Sequence, residues 1–330
     1  MFLLFVSLIF FFFSKKNFKN EYVIRGETMG SIPYTVKFVS NFDSVNKNEI
    51  DSILVSFNNI FSTYIQDSEI SKINRSKGKI QISNYFLLML QKSKEIFDRT
   101  LGAYDPTIGP LVNAWGFGPN KRVIQPSAKT IADLLNYVGF DKLDFDDESI
   151  YKEYEETYID FGSIAKGYVV DLISNFLSQK DINNYFVEIG GEVRASGINL
   201  SDNYWLVGIE KPIDRLNVDI IATIPLDNMS LATSGNYRNY YESGDSIIYH
   251  TIDPKSGYPS SSNMLSASVF AKSCLVADAY ATAFMVLDFD RSKEILNSTA
   301  NIEGFFVYKD KDEIHTYSSE NIRSLINLYE

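Results

Sequence analysis

HTIDPKSGYP (250–259) and VADAYATA (276–283) decide how this chain is read. The first is a β-like run that ends in a forced turn. The second is small and apolar throughout, yet it holds one carboxylate. On a helix Asp278 and Thr282 share one face, with their oxygens pointing the same way. The alanines at 277, 279, 281 and 283 give Asp278 nothing to pair with locally. A buried, unpaired carboxylate is costly, which invites a cation. His250, one of only two histidines, sits just before the turn. The two segments together point to a metal-and-base site rather than plain core.

Around them, helices and strands alternate irregularly. Ile50, Ile53, Leu54, Phe57, Ile60 and Phe61 recur at helical spacing and predict a helix over 46–61 that packs one stripe on the core. Residues 84–98 and 127–138 read likewise, with Ser127 as an N-cap and Gly139 as a stop. A helix from about 163 to 178 buries Ile164, Leu172, Ile173 and Phe176. YFVEI (185–189), YWLVGIE (204–210) and IIATIPL (220–226) read as strands. Several hairpin-like pairs favour an α+β fold over a doubly wound parallel sheet. The acidic stretch 141–157 reads as a solvated hairpin or loop.

Composition narrows the function classes. The chain has 330 residues, 45% of them hydrophobic, ample for a large core. Its formal charge is −11 and no Lys/Arg cluster marks a helix face, so a nucleic-acid partner is not expected. Cys274 is the only cysteine, which excludes a disulfide framework and a thiolate metal cage. It reads as a small buried hydrophobe. Residues 1–13, MFLLFVSLIFFFF, are an unbroken apolar run, shorter than the roughly 20 residues of a full span. No small-x-small cleavage site and no lipid-attachment cysteine follow. Residues 1–20 are therefore read as an uncleaved or poorly cleaved export signal, with a short anchor as the alternative, and 21–330 as the catalytic domain. Lys15 and Lys16 lie on the wrong side for export by the positive-inside rule.

The middle of the chain holds the second informative block. In DFGSIAKGYVVD (160–171) a carboxylate and a glycine lead into a helix carrying Lys166 and Gly167. A helix N-terminus offers free N–H groups and a positive dipole end, a seat for phosphate. VEIGGEVRASG (187–197) adds a Gly-Gly pair after a strand, which permits close backbone approach or makes a plain turn. LGAYDPTIGPLVNAWGFGP (101–119) is dense in Gly, Pro and aromatics, as expected of a rigid loop rather than a regular element. In LATSGNYRNYY (231–241), read as a turn, Ser234, Gly235 and Arg238 are candidates to meet a phosphate.

In this order, GETMGS (26–31), STYIQDSEISKIN (62–74), YDPTIGPLVNAWGFGP, DFGSIAKGYVVD, VEIGGEVRASG, LATSGNYR, HTIDPKSGYP and ADAYATAFMVLD resemble the successive motifs of the ApbE family of flavin transferases. The resemblance runs from about residue 26 to 290, and DFGSIAKG and HTIDPKSGYP are its most specific parts. It implies a single compact α+β domain of two lobes with an FAD cleft between them. It also implies Mg²⁺-dependent transfer of FMN from FAD to a threonine hydroxyl of an acceptor protein, releasing AMP. Carried over, it places Met29, Tyr64, Ala103, Tyr104, Asp105, Asp160, Lys166 and Ile252 against FAD. Mg²⁺ would be held by Asp278, Thr282 and the backbone carbonyl of Ser163, with His250 as the base. Family precedent makes the acceptor a flavoprotein subunit of a membrane redox complex and puts the enzyme at the inner membrane, on its periplasmic side. The chain departs from the family in two places. Ala281 stands where a second Asp often precedes the threonine, and the lipid-attachment cysteine is missing.

The chemistry is coherent without the family name. A hard cation bridging pyrophosphate oxygens lowers the barrier to an attacking oxygen. A threonine hydroxyl needs a base within reach, and histidine has a suitable unperturbed pKa of about 6.5. An FAD pyrophosphatase with water as acceptor would use the same site. A non-catalytic flavin-binding protein would have no use for His250, Asp278 and Thr282 together.

Overall fold

The computed structural model of the chain describes residues 19–119, 125–212, 219–236, 240–243 and 246–329. Residues 1–18 of the expected export signal lie outside it, as does Arg238. Strand β1 (Asn20–Thr28) turns back into β2 (Ile32–Ser40) through Met29 and Gly30, both left-handed at φ 50° and 94°. Helix α1 (Lys47–Phe61) opens on a capping box in which Asn46 and Glu49 exchange side-chain and backbone bonds. It buries Ile50, Leu54, Phe57 and Phe61, four of the six residues in the expected stripe. Then follow α2 (Glu69–Asn74), β3 (Gly78–Gln81), α3 (Asn84–Arg99), α4 (Gly109–Ala114) and α5 (Ala128–Leu135). Strands β4 (Leu143–Phe145) and β5 (Ser149–Lys152) join β3 in a small antiparallel sheet, ordered β3-β5-β4.

The second half builds the main sheet. Helix α6 (Ala165–Gln179) leads to the hairpin of β6 (Tyr185–Ile189) and β7 (Glu192–Ser196). Its turn is Gly190–Gly191, with φ of 59° and 99°, the two-residue form whose twist matches the strands. Next come β8 (Trp205–Glu210), β9 (Ile220–Leu226), β10 (Met229–Gly235), β11 (Tyr240–Ser243), β12 (Ser246–Tyr249) and β13 (Met264–Ala271). Helices α7 (Cys274–Val286) and α8 (Phe289–Ser298) are followed by β14 (Ile302–Asp310), β15 (Glu313–Ser318), α9 (Glu320–Arg323) and β16 (Asn327–Leu328).

Eight strands form one antiparallel sheet in the order β1-β2-β6-β7-β10-β13-β14-β15. Period-two alternation gives it two buried faces. On one face Val36, Val187, Ala267, Val269 and Phe306 pack against α1, α3, α6 and α7. On the other, Val193, Leu231, Phe270, Phe305 and Val307 pack against Trp205, Ile209, Ala222, Ile224 and Leu226 of the small sheet β16-β9-β8. The expected α+β class holds.

Several local expectations needed correction. The helix expected over 127–138 is regular only to Leu135, because Tyr137 and Val138 donate to Leu134 and Leu135 and tighten the last turn. Helix α6 starts at Ala165, since Ile164 lies off helical geometry at φ −144°. The rigid loop 101–119 contains α4, started by Pro110 in its first turn. Leu231–Gly235 is strand rather than turn, paired along its whole length with β13 and at Leu231 with β7 as well. The stretch 141–157 is a hairpin, but Ser149, Ile150, Lys152 and Thr157 are buried. Lys152 is the reason: its Nζ donates to the carbonyls of Asn74 and Glu155, each at 2.9 Å, tying the hairpin to the end of α2.

Candidate active site

Helices α6 and α7 meet where Gly167 passes the backbone of Cys274; a Cβ there would lie 2.3 Å from the Cys274 carbonyl oxygen. The contact lets each helix cap the other. Asp278 of α7 accepts the Gly167 N–H at 2.9 Å through Oδ2, in the first turn of α6, where the N-cap Ile164 has no side-chain acceptor. Asp171 of α6 accepts the N–H groups of Cys274 and Leu275, both at 3.0 Å, and the Ser273 hydroxyl at 2.7 Å. Arg194 donates to the same carboxylate at 2.7 Å. Asp278 is therefore not unpaired, contrary to expectation: its partner comes from residue 167, beyond the reach of any local pattern.

Lys166 lies beside Asp278, with Nζ 2.8 Å from Glu192 Oε1 and 3.6 Å from Asp278 Oδ1. Burial works to lower its pKa, but the carboxylates of Asp278 and Glu192 outweigh that, so the ammonium is held charged. Burial pushes the Asp278 carboxyl up, and Lys166 and the Gly167 N–H oppose the rise. Glu192, which the sequence did not single out, ends the Gly-Gly turn and is 3% exposed. The Gly190 end of that turn accounts for Met29. A Cβ on Gly190 would lie 2.7 Å from Ile32 and 3.4 Å from the Lys166 stem, so the two hairpin tips and α6 gather at one end of the sheet. Gly-Gly thus serves both as a turn and as a close approach.

A second wall comes from 101–108 and 158–163. Tyr104 is buried, shares a hydrogen bond of 2.9 Å with Ser93, and neighbours the buried Ala103. Burial raises its pKa, Ser93 opposes, and the charges of Asp105, Asp278 and Asp160 raise it further, which puts these groups in one electrostatic neighbourhood. Asp105 is buried and raised to about 6 by desolvation, against the pull of the Thr107 hydroxyl and N–H at 2.6 and 2.8 Å. Asp160 accepts the Gly162 N–H at 2.7 Å and gives its own N–H to Pro106, shaping the turn that presents Ser163. Asn74 pins this segment from below, exchanging both amide bonds with the Ile159 backbone at 2.8 Å. Tyr64 stands exposed, and partial desolvation and the charge of Asp160 raise its pKa.

The third wall carries His250. Phe117 meets the His250 ring edge-on at 6.3 Å and the Tyr241 ring at 5.3 Å. Ile252 is buried with Leu111, Trp115 and Ile131, and Trp115 Nε1 donates to the Gly257 carbonyl at 2.8 Å. Trp115 is therefore core, and Phe117 packs between that core and the His250 ring. The turn is closed on Asp253, and Ser260 bonds back to Thr251 while its hydroxyl reaches the Met285 and Val286 carbonyls of α7. That tie brings the His250 segment to the helix that bears Thr282. Thr282 Oγ1 lies 3.4 Å from Ser234 Oγ of β10.

Among the described residues no three His, Cys, Asp or Glu side chains converge on a metal position. The donors on offer are hard oxygens: one carboxylate, the Thr282 hydroxyl and the carbonyl of Ser163. Asp278 Oδ1 sits beyond direct hydrogen-bond length from Lys166 and retains lone pairs. This set fits Mg²⁺, which takes few protein ligands and keeps its waters.

Known proteins resemble this chain in sequence and fold. A sequence profile of the ApbE family matches residues 29–306. An FAD:protein FMN transferase of Haemophilus influenzae is 36% identical, over 92% of this chain and 90% of its own. One from Escherichia coli K12 is 32% identical, over 92% and 89%. The solved structure of the flavin transferase ApbE from Vibrio cholerae superposes with a TM-score of 0.85 at 32% identity, covering 93% of this chain and 99% of that one. The apo flavinyl transferase ApbE of Pseudomonas stutzeri gives 0.84 at 33%, over 93% and 97%. With residues 29–306 matched by the family profile and its fold superposed over 93% of its length, the chain belongs to the ApbE family.

Proposed function

We propose that this chain is an FAD:protein FMN transferase that moves FMN from FAD to a threonine hydroxyl of an acceptor protein. The observation that carries the reading is Lys166, a charged ammonium between Glu192 and Asp278 at the N-terminus of α6. A fixed positive charge there suits a pyrophosphate. Met29, Tyr64, Ala103, Tyr104, Asp105, Asp160 and Ile252 line the walls that would hold the dinucleotide in a cleft between two lobes. His250 takes the threonine proton as the oxygen attacks the FMN phosphorus. The new P–O bond forms as the bond to the bridging oxygen breaks, and AMP departs. Asp278, Thr282 and the Ser163 carbonyl would hold Mg²⁺, which neutralises charge on the phosphates when bound.

Incubation of the purified protein with FAD, Mg²⁺ and a candidate acceptor, followed by in-gel flavin fluorescence, tests this. A fluorescent acceptor band is expected, lost with chelator and lost when the acceptor threonine is alanine. Release of FMN and AMP without a labelled band would instead make the protein an FAD pyrophosphatase. His250→Ala is expected to keep FAD binding and slow transfer by on the order of 10²–10⁴-fold. The acceptor class proposed is a flavoprotein subunit of a membrane redox complex. No described helix is long and apolar enough to cross a membrane, so membrane attachment rests on residues 1–13. The location proposed is the periplasmic side of the inner membrane. Protease treatment of spheroplasts tests it: digestion is expected, and protection until the membrane is breached would overturn it.

A further inference from the structure

The small sheet β16-β9-β8 turns its outer face away from the core, and several apolar side chains on it are exposed. Trp205, Ile209, Ala222 and Ile224 point into the core, so by alternation Leu206, Gly208, Thr223 and Pro225 point out. Leu206 is 62% exposed and Ile220, lying over Gly208, is 46% exposed. Tyr329 crosses the same face to meet Thr223 at 3.1 Å and is 53% exposed, as is Tyr204 two residues before Leu206. These apolar side chains are contiguous, whereas scattered single ones are the ordinary condition of a surface.

The chain's own N-terminus says what lies against them. Lys19, the first described residue, lines a hollow with Ile198, Asn199 and Leu200, in the turn that leads into Tyr204. Between Lys19 and the apolar run 1–13 stand only residues 14–18, which reach about 20 Å at full extension. With residues 1–13 in a bilayer, Lys19 and the turn that leads into Tyr204 lie within about 20 Å of the hydrocarbon.

We infer that the outer face of the small sheet, centred on Tyr204, Leu206, Ile220 and Tyr329, rests on the lipid surface beside the N-terminal segment. The inference rests on the proposed membrane attachment of residues 1–13. Tyrosines with an apolar ring and a polar tip suit the headgroup level. Asp202 and Asp227 occupy the adjoining turns, so contact comes from apolar burial rather than charge, and zwitterionic lipid is the fitting probe.

Cys274 is buried and is the only cysteine, so an introduced thiol can be labelled selectively. The full chain, carrying Leu206→Cys or Tyr204→Cys, is labelled with a polarity-sensitive fluorophore and reconstituted into phosphatidylcholine vesicles. Val55→Cys, on exposed α1 across the main sheet, is the control. Labels at 204 and 206 are expected to shift to the blue and to be quenched by shallow nitroxide lipids several-fold more than the label at 55. Protein that sediments with vesicles while all three labels respond alike overturns the inference and leaves the attachment standing. Protein that does not sediment overturns both. A blue shift without lipid quenching assigns the face to a second copy and also overturns it.

Discussion

Asp278 has two tasks that a single substitution can separate. Asn in its place keeps an oxygen for the Gly167 N–H but removes the charge facing Lys166. Asp278→Asn is expected to retain the fold by circular dichroism and to lose at least about 10²-fold in Mg²⁺-dependent transfer. Wild-type activity at saturating Mg²⁺ would remove Asp278 from the metal site. Gly167→Ala makes the opposite separation, leaving every charge in place and forcing a methyl into the Cys274 carbonyl. A cost of about 1–3 kcal/mol is expected in urea unfolding, with transfer falling as Lys166 and Asp278 are spread apart. Asp105 supplies a pH test. Its folded pKa of about 6 stands above the ordinary 3.8, so between those values the native state binds more protons than the unfolded one. Its contribution is therefore favourable in acid and is lost as pH rises to about 6. Asp105→Asn, which keeps the acceptor for Thr107, is expected to gain on wild type across that window, by up to about 3 kcal/mol, and to run parallel above it. A constant difference in urea midpoints from pH 4 to 7 would refute this. Residue types were legible from the sequence because pyrophosphate chemistry restricts them. The partners were not: Glu192 and Gly167 reach Lys166 and Asp278 only through the fold.

At the scale of elements, reciprocal capping sets the geometry of α6 and α7. Asp171 answers two backbone N–H groups, a hydroxyl and Arg194, all from outside its own helix. Removing it strands an arginine and uncaps α7, so Asp171→Ala is expected to cost about 3–5 kcal/mol by urea unfolding. Asn, with one acceptor oxygen, should fall between. Lys152 plays the equivalent part for the end of α2, a strand cation seated on the Ile73 and Asn74 carbonyls. Helices with a clear stripe, α1 and α3, were read from the sequence nearly to the residue, because burial on one side is a local signal. Helix α7 carries almost no stripe, being buried nearly all round, and was recognised by its small residues alone. The acidic hairpin was misjudged because one buried lysine outweighs a run of solvated carboxylates. Leu231–Gly235 reads as a turn because Ser, Thr and Gly suit turns, yet it is strand, held along its whole length by pairing with β13.

For the whole molecule, the antiparallel sheet and its two cores bring together segments far apart in sequence. Site residues from Met29 to Thr282 depend on pairings such as β2 with β6 and β10 with β13. The α+β class was legible from alternating helix and strand patterns. Strand order was not, since nothing local states that β2 adjoins β6. Such long-range pairing is slow to form and tends to be lost together. Unfolding followed by tryptophan emission, from Trp115 and Trp205 in different cores, is therefore expected to coincide with unfolding followed by far-ultraviolet dichroism; separate transitions would show independent units. The seam between α6 and α7 also equips the protein with a clock. Cys274 is sealed there, its N–H held by Asp171 and its carbonyl pressed on Gly167. A thiol reagent in solution can reach it only while the seam is parted. The rate at which the untouched protein takes up such a reagent then reports how often the contact between α6 and α7 opens, with no label added anywhere else.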